Sequence, residues 1–549
     1  MNAPAELFDS LRFLIIEVHK QLQGVELFLE TGEKEQAEKS LGRVDYIDNY
    51  QLSLLNRTTD YLVNQPLYSE NGESQILAQS YQHLAHSLKE LSRQLETIAY
   101  QALNLGSLKL IQKPNLFKAL DTLRTGLELI EPAILLETSQ AAVDICRLQL
   151  RIAKLCQEQL EKYQFRLKRG QQTKALLDAS FITKDINQLG EALLRIGEAI
   201  LSANLGQSIK LERYHSLTET LSALDLDPNA PHFSITSIAE TKSGCTISGV
   251  SSSNDPTDDE LLAIFKEGKK QKLLEEKKGI ESWNKKFPGI APKVYSYHKS
   301  GNKAALLYEY LTGETFDYFI RNLDRDNLEQ GLNKLFSLLL EIWEETQVKE
   351  RYSANFMGQL KKRLNDIYRV HPDFDLSGFK VGDVEQVSLE SLIKEAMRLE
   401  SNLKPPKSVY IHGDFNVDNI IYDPLEKQIS FIDLHRSEYS DYVQDLSVFM
   451  VSNYRLLNFD PDVRKLIALT MQGVYEFGER YAEQVNDETY HLRMALGLAR
   501  SYLSSTRFVL DTEHAKSMHY RGRYLLQQVL QLKPKQYSTY RVSKEIFRE

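Results

Sequence analysis

Polar side chains with types and spacing that could serve catalysis cluster around residue 415. In the segment HGDFNVDN, residues 412–419, Asp414 precedes Asn419 by five positions. Apolar runs on either side, at 409–411 and 429–432, predict two short strands that each lead directly into an acidic segment. This spacing can place a carboxylate at a nucleophile and a carboxamide on a metal ion. We therefore predict a catalytic loop here, with a turn rich in Asp and Asn as the alternative.

Length and composition limit the class of protein. The 549 residues favour roughly three to four domains, and a content of 42% hydrophobic and 26% charged residues is typical of a globular protein. The net charge of −9 argues against nucleic acid as a partner, because binding it requires a basic face. The three cysteines, Cys146, Cys156 and Cys245, form no disulfide framework and no CxxC metal motif. A reducing compartment fits this pattern.

The chain shows no signal for secretion or for membrane insertion. The first residues, MNAPAELFDSLRF, lack the basic start and apolar core of a signal peptide. No apolar run approaches the roughly 20 residues that span a bilayer. We therefore expect a cytoplasmic protein without a transmembrane segment.

Residues 1–225 show helical periodicity nearly throughout and no strand pattern. The first stripe, with apolar residues at steps of three and four, consists of Leu7, Leu11, Leu14, Ile15, Val18 and Leu22. Similar stripes occupy 34–64, 73–105, 115–135, 138–169 and 178–204. Predicted breaks fall at Thr31-Gly32, Asn71-Gly72, Lys113-Pro114, Glu131-Pro132 and Arg169-Gly170. Long amphipathic helices with short connections predict an up-and-down bundle.

The pattern changes after residue 225. Two prolines and several small or acidic residues at 222–232 predict a linker. Strand-like runs around one helical stretch then predict the small lobe of a kinase-like fold over residues 226–311. Mostly helical patterning predicts a large lobe over 312–549, built around a catalytic loop at 410–434.

Two short segments of the helical region resemble the PhoU-type regulators of bacterial phosphate uptake. GRVDYID at 42–48 is similar to the D-x-x-I-D step in the second helix of that bundle. RIGE at 195–198 is similar to its last-helix R-I-G-D step, with Glu198 at the Asp position. The resemblance implies a regulatory bundle that can bind a protein partner, and acidic side chains that can bind metal clusters. Asp45 and Asp48 would share a helix face, with a solvated acidic patch as the alternative.

Residues 233–534 resemble the aminoglycoside phosphotransferase and choline kinase family, which shares the protein-kinase fold. The motif at 412–419, followed by Phe431-Ile432-Asp433, carries this resemblance. These enzymes have H-G-D and I-D-x in place of the H-R-D and D-F-G of protein kinases.

The resemblance implies ATP and Mg²⁺ as cofactors. Asp414 would accept a hydrogen bond from the acceptor hydroxyl and orient it at the γ-phosphate, and His412 would brace the loop. Asn419 and Asp433 would hold Mg²⁺, which prefers hard oxygen ligands.

A lysine and a glutamate upstream complete the implied nucleotide site. Lys266 ends the run LLAIFK and would neutralise the α- and β-phosphates. Glu276, on the following predicted helix, is the expected partner of this lysine, and Glu275 and Glu281 stay open as alternatives.

The segments expected to contact adenine and the phosphates are less distinctive. LLYEYLTG at 306–313 resembles the hinge between lobes, where the C=O of Glu309 and the N–H of Leu311 would bind adenine. The turn within 240–250 would cover the phosphates through Ser243 and nearby N–H groups. It contains only two glycines and is not a G-x-G-x-x-G loop.

The remaining family positions lie after the catalytic loop. Asp441 and Asp445 fall where the family has G-D-P-x-x-D-L, with Ser440 and Tyr442 replacing Gly and Pro, and we expect Asp445 to hydrogen-bond the loop. Such enzymes build the acceptor pocket from the last helices, which here carry the basic residues Arg500, Arg507, His519, Arg521 and Arg523. Those side chains would suit an anionic or phosphorylated acceptor, with ordinary surface charge as the alternative. No acidic pocket for an aminoglycoside is evident.

These features predict an α+β multidomain protein in which an all-α, PhoU-like bundle precedes a bilobal kinase-like domain. Its predicted activity is ATP-dependent phosphoryl transfer to a hydroxyl of a small-molecule or protein acceptor. The alternative is a regulatory or docking protein whose bundle binds a partner and whose kinase-like part senses nucleotide or is inactive. A toxin- or defence-type kinase and a homodimer stay open.

Overall fold

The computed structural model divides the chain into two compact units. The first comprises Met1–Lys269 with Tyr295–Leu307, and the second Lys270–Val294 with Tyr308–Glu549. The described residues are 5–63, 73–135, 139–170, 172–221, 233–240, 246–252, 261–375, 380–385 and 387–548. Ser243, Cys245 and the predicted linker at 222–232 lie outside them.

Eight helices among these residues form the bundle of the first unit. They are α1 (Ala5–Thr31), α2 (Lys34–Leu41), α3 (Val44–Val63), α4 (Glu73–Leu103), α5 (Pro114–Leu135), α6 (Ser139–Leu167), α7 (Thr173–Leu205) and α8 (Leu211–Leu221). The apolar stripe predicted for α1 faces the core, since Leu7, Leu11, Leu14, Val18 and Leu22 are all at most 2% exposed. The predicted all-α character of this region is confirmed.

Two predicted helix boundaries are wrong. The stripe at 34–64 is interrupted after Leu41, and α3 starts at Val44. Conversely, α5 continues through Pro132 to Leu135. A proline inside a helix gives up one backbone hydrogen bond, but Ala133 in the same last turn is fully buried. Packing of this turn therefore outweighs the lost bond.

A five-stranded sheet follows the bundle, with strand order β1-β2-β3-β5-β4. Its strands are β1 (Phe233–Glu240), β2 (Thr246–Ser252), β3 (Leu261–Lys269), β4 (Val294–Ser300) and β5 (Lys303–Glu309). β2 pairs antiparallel with both β1 and β3. Most of this sheet belongs to the first unit, together with the bundle.

Helix α8 joins the bundle to the sheet within the first unit. Arg213 Nη2 donates to Ser248 Oγ on β2 at 2.8 Å, and its Nε lies 3.9 Å from Glu267 Oε2 on β3. At the other end of α8, Ser296 Oγ on β4 donates to Thr220 O at 2.9 Å. The buried helix residues also share one hydrophobic core with residues of the sheet, which are Val250, Ala263, Phe265, Ala305 and Leu307. The bundle and the sheet are therefore one packed body.

Replacing Arg213 with methionine is expected to destabilise both sides of this junction. The substitution keeps an apolar side chain but removes the hydrogen bond to Ser248 and the charge beside the buried Glu267, at a cost of about 1–3 kcal/mol. Hydrogen exchange followed by mass spectrometry should show faster exchange in α8 and in β2–β3 alike. Arg147→Met is the matched control, because Arg147 is exposed and its ion-pair partner is Asp144, one turn away on the same helix. Faster exchange in one of the two elements alone would contradict a shared body.

The second unit is mostly helical. Its helices are α9 (Lys270–Lys286), α10 (Phe316–Arg321), α11 (Arg325–Thr346), α12 (Phe356–Lys361), α13 (Leu364–Val370), α14 (Leu389–Glu400), α15 (Val443–Tyr454), α16 (Pro461–Gln484), α17 (Tyr490–Ser505) and α18 (Thr512–Gln531). Its strands are β6 (Glu314–Thr315), β7 (Lys380–Val381), β8 (Val384–Glu385), β9 (Val409–Ile411), β10 (Ile420–Asp423), β11 (Gln428–Phe431) and β12 (Glu438–Ser440). They form a sheet β11-β10-β6 and the pairs β12-β9 and β7-β8.

The centre of the second unit is α15, in which every residue is buried. It follows β12 directly, and its Asp445 reaches the loop after β9. Over the described residues, no helix combines the length and the apolarity needed to cross a lipid bilayer.

Candidate active site

The loop after β9 and the end of β11 meet at one residue, Ile432. Ile432 N donates to Asn419 O at 3.0 Å. Ile432 O accepts from the ring of His412, whose Nε2 lies 2.9 Å away. The residue before Asp433 is therefore bonded on one side to Asn419 and on the other to the His-Gly-Asp turn. These contacts bring His412, Asn419 and Asp433 into one site although they span 22 positions.

Both ring nitrogens of His412 are engaged within the loop. Nε2 lies on the Ile432 carbonyl, which can only accept, and Nδ1 accepts from Asp414 N at 3.3 Å. Burial lowers the pKa of His412. A neutral ring with its proton on Nε2 satisfies both contacts. The ring is thus arranged to hold backbone, and neither nitrogen is directed at a substrate.

The carboxylate of Asp414 is half-buried and held from two sides. Oδ1 accepts from Asn416 Nδ2 at 3.1 Å, and Oδ2 lies 3.2 Å from Arg436 Nη1. The turn before it requires glycine, because Gly413 has φ +82° and an added Cβ would lie 2.2 Å from Arg436 O. The backbone therefore fixes where this carboxylate points.

Asp445 holds the loop after β9 through hydrogen bonds to the loop backbone. Its two oxygens accept from His412 N at 2.7 Å and from Gly413 N at 2.9 Å. Complete burial raises the pKa of this carboxyl to about 7. The predicted hydrogen bond between Asp445 and the loop is present as a two-pronged contact. Asp441, by contrast, pairs with the buried Arg493 and lies away from the loop backbone.

Asn419 and Asp433 offer oxygen donors suited to Mg²⁺. Asn419 Nδ2 donates to Asp414 O at 2.8 Å, so the amide nitrogen is committed and the carboxamide oxygen faces the other way. Asp433 adopts a left-handed backbone with φ +58°, a conformation that is uncommon in residues other than glycine and that aspartate adopts more readily than most. One neutral and one anionic oxygen ligand fit a hard divalent ion that retains waters.

The expected hinge residues follow β5. Glu309 ends this strand, and its Oε2 accepts from Lys293 N at 2.9 Å. Leu311 lies in the connection beyond, which is fixed to β10 because Thr312 Oγ1 donates to Asp423 Oδ2 at 2.5 Å. Gly313, with φ +96°, lets the chain pass close to β10, since an added Cβ would lie 2.6 Å from Tyr422 O. The backbone groups at 309 and 311 are therefore presented by a rigid connection.

Lys266 and Glu276 are both buried charged residues. Lys266 lies on β3 opposite Ile247 and is 3% exposed. Glu276 lies on α9 and is 1% exposed, whereas Glu275 and Glu281 are exposed. Burial thus distinguishes Glu276 from the two alternatives, and its pairing with Lys266 stays a prediction. The phosphate-covering role of Ser243 also stays a prediction.

Sequence reasoning missed the polar residues that surround Asp414. Asn416 and Arg436 contact its carboxylate directly. Asn416 lies inside the segment HGDFNVDN, two positions after Asp414, so a contact between these two side chains could have been predicted from their spacing. Arg436 comes three residues after Asp433, and the spacing alone does not show that it returns to Asp414.

The acidic residues proposed as bundle metal ligands have protein partners or solvent. Asp48 pairs with Lys89, and Asp45 is exposed. Glu198 Oε1 accepts from Leu211 N at 3.1 Å, which helps to start α8. Within the described ranges, no group of three or more His, Cys, Asp or Glu side chains could hold a metal ion. Asp45 is thus solvated, whereas Asp48 and Glu198 are bonded within the protein.

Comparisons with known proteins identify similar sequences and folds. Residues 270–478 match the model of the phosphotransferase enzyme family. A search of curated proteins finds no match. Among solved structures, PhoU from Pseudomonas aeruginosa is 11% identical, with 36% of this chain and 95% of that chain covered and a TM-score of 0.33. Ethanolamine kinase from Plasmodium vivax is 15% identical (60% and 89% covered, TM-score 0.33), and choline kinase from Cryptosporidium parvum is 13% identical (57% and 92% covered, TM-score 0.31).

The chain is an α+β multidomain protein in which a helical bundle precedes a kinase-like, phosphotransferase-type region. The family match confirms the predicted resemblance over residues 270–478, which include the whole loop at 410–434.

Proposed function

We propose that the protein transfers the γ-phosphate of ATP to a hydroxyl group of a small-molecule or protein acceptor. The observation that supports this proposal is the pair of backbone contacts of Ile432, which join Asn419 and the His-Gly-Asp turn to the residue before Asp433. In the proposal, Asp414 is the catalytic carboxylate and Asn419 and Asp433 supply oxygen ligands for a metal ion within this hydrogen-bonded loop. This is the set of groups that phosphoryl transfer needs, because the reaction depends mainly on positioning and charge neutralisation.

Each residue of the site has a defined task in this mechanism. Asp414 accepts the hydrogen bond of the acceptor hydroxyl and takes its proton as the new O–P bond forms and the bond to the ADP oxygen breaks. Asn419 and Asp433 would hold Mg²⁺, which supplies charge neutralisation at the phosphates when it is bound with ATP. His412 and Asp445 keep the loop backbone in place. Lys266, paired with Glu276, would bind the α- and β-phosphates, the backbone at Glu309 and Leu311 would bind adenine, and Ser243 would cover the phosphates.

The alternative of a purely regulatory docking protein is not favoured by the family match. Partner binding through the bundle, a homodimer and a cytoplasmic location remain parts of the proposal. Transfer of labelled γ-phosphate by the purified full chain, with small-molecule and protein fractions of a cell extract as acceptors, tests the activity directly. Binding of ATP without transfer to any fraction would favour the docking alternative.

Replacing Asp433 with asparagine is expected to weaken Mg²⁺-dependent ATP binding by about 10- to 100-fold. The substitution keeps the size of the side chain but removes the anionic oxygen ligand of the proposed site. Even the loss of a residue that only hydrogen-bonds to a metal ligand typically weakens metal affinity by this factor. Titration with a fluorescent ATP analogue, with Mg²⁺ and with EDTA, measures the effect. Asp373→Asn is the matched control, since Asp373 is an exposed carboxylate in the same unit. Unchanged Mg²⁺-dependent affinity in the Asp433 variant would remove this residue from the metal site.

A further inference from the structure

Four arginines lie near one another beside the loop after β9, and we call them the arginine cluster: Arg363, Arg436, Arg500 and Arg507. Arg363, Arg436 and Arg500 also interact electrostatically with the Asp414 carboxylate. Arg500 lies near the end of α17, and Arg507 lies seven positions later in the turn that follows. Ser504 joins two members, since Arg363 Nη1 donates to its Oγ at 3.5 Å and Arg507 Nη1 donates to its backbone O at 3.1 Å. The fourth member, Arg436, lies against Asp414 Oδ2.

Arg500 is buried with unused donors. The residue is 5% exposed, and its guanidinium lies 5.6 Å from the centre of the Phe356 ring. Its Nε and Nη2 atoms are inaccessible to solvent and have no hydrogen-bond acceptor in the part of the chain that the structure describes. Burying a charged donor without an acceptor is costly, and such groups in a native fold call for a missing partner.

The neighbouring carboxylates are committed elsewhere. Asp445 accepts from two loop N–H groups. Glu400 accepts from Phe356 N at 2.5 Å and from Met357 N at 3.0 Å, where it caps α12. Asp414 is held by Asn416 and by one member of the cluster, Arg436. Within the described residues, none of these carboxylates accepts a hydrogen bond from Nε or Nη2 of Arg500.

The electrostatics of the cluster agree with this geometry. Burial, together with the like charge of Arg363, lowers the pKa of Arg500 to about 9. Burial also lowers the pKa of Arg507 to about 10, again with Arg363 as the nearest like charge. An anion placed among these side chains would relieve both effects.

We propose that the acceptor carries an oxyanion, a phosphate monoester or a carboxylate, which Arg500 binds together with Arg363 and Arg507. This inference rests on the proposed function, because it assigns the cluster to the molecule whose hydroxyl meets Asp414. A planar guanidinium presents paired N–H donors that match two oxygens of such a group. Binding the anion at the cluster would direct a hydroxyl on the same molecule to the adjacent carboxylate. A polycationic acceptor would be repelled.

Sulfate is the probe for this site, because it mimics a phosphate dianion and stays soluble with Mg²⁺. Calorimetric titration uses the full chain, once alone and once saturated with Mg²⁺ and a non-hydrolysable ATP analogue that fills the nucleotide-phosphate site. We expect saturable sulfate binding in both titrations. Arg500→Gln and Arg363→Gln should each weaken it by about tenfold or more, since hydrogen bonds between two charged groups are lost.

Controls separate this inference from folding defects and from the proposed function. Arg541→Gln is the matched variant, because Arg541 is an exposed arginine in the same unit and should leave sulfate binding unchanged. Thermal melting establishes that each variant folds, and the half-buried Arg363 keeps the test decisive if the Arg500 variant does not fold. Sulfate binding that is absent from the parent, or equal in the parent and both variants, overturns the inference. Variants that lose affinity for the ATP analogue but keep the parental affinity for sulfate also overturn it. A parent protein that neither binds ATP nor transfers phosphate would instead overturn the proposed function.

Treatment of the extract with phosphatase distinguishes the two oxyanions. If labelling of the acceptor disappears after treatment, the anion is a phosphate monoester. If labelling persists on a carboxylated acceptor, the anion is a carboxylate. A labelled acceptor that is neutral or cationic overturns the inference.

Discussion

Asp414→Asn is expected to lower the rate of phosphoryl transfer by about 100- to 10,000-fold while ATP binding with Mg²⁺ persists. A positioned general base contributes a factor of this size, and a carboxamide cannot take the proton of the acceptor hydroxyl. The backbone contacts of the loop should survive, because Asp414 N and O bond to His412 and to Asn419 independently of the carboxylate. The nucleotide-binding groups are likewise unchanged. The initial rate of label transfer and the affinity for ATP are the two measurements.

This variant is informative because its rate of phosphoryl transfer should fall while its affinity for ATP is kept. Arg436 loses its carboxylate partner, but the side chain is 48% exposed, so water can replace the lost contact at little cost in stability. Asp373→Asn again serves as the control carboxylate and should match the parent in both measurements. If the Asp414 variant transfers phosphate at the parental rate, Asp414 is not the base. If it loses ATP binding and folding together, the residue is structural.

The local geometry of the loop follows from short stretches of sequence, and its surroundings do not. Strands β9 and β11 are marked by apolar runs, so residues at fixed offsets from them could be placed near each other from spacing alone. The contact between Arg436 and Asp414 depends on the direction of the turn after Asp433, whose left-handed φ is not encoded by a glycine. Tertiary contacts hold a backbone conformation that costs energy, and the local sequence pattern does not reveal those contacts.

The same limit applies to the junction of α8 with the sheet. Helical periodicity is predicted nearly throughout residues 1–225, which include α8, but Arg213 contacts Ser248 and Glu267 from 35 and 54 positions away. The stretch between them contains the linker, whose composition suggests separation of two domains. Shared burial of helix and sheet residues in one core instead couples the bundle to the strand that carries Lys266.

Arg493→Met is expected to lower the free energy of unfolding of the second unit by about 3–5 kcal/mol. Arg493 is 1% exposed and bonds both Asp441 and Asp487, which are buried. Removing one partner from a buried ion cluster leaves uncompensated charge, which costs this much. Urea unfolding followed by tryptophan fluorescence reports on this unit, because both tryptophans, Trp283 and Trp343, belong to it. Arg369→Met, at an exposed pair with Asp366, should change the stability little.

The pKa of Asp441 determines how the stability deficit of the Arg493 variant should change with pH. Burial already raises the pKa of Asp441 in the parent, and Arg493 opposes that rise. Without the arginine the folded-state pKa rises further above the unfolded value, so the folded state binds a proton that the unfolded state releases. Stability of the variant therefore falls as pH increases, and its deficit should be larger at pH 8 than at pH 5. A deficit that is equal at both values, or larger at pH 5, would contradict buried charge as the cause.

Removing the two carboxylates as well should restore much of the lost stability. In the triple variant Arg493→Met, Asp441→Asn, Asp487→Asn, no charge is left uncompensated, and replacement of a whole buried ion cluster is often neutral or better. The carboxamide that replaces the Asp487 carboxylate can still accept the hydrogen bond that Tyr442 OH donates to Asp487 Oδ2 at 2.7 Å in the parent. Because α15 starts one residue after Tyr442 and carries Asp445 to the catalytic loop, recovery of phosphoryl transfer should accompany recovery of stability. A triple variant no more stable than Arg493→Met would show that the arginine acts through its packing and not through its charge.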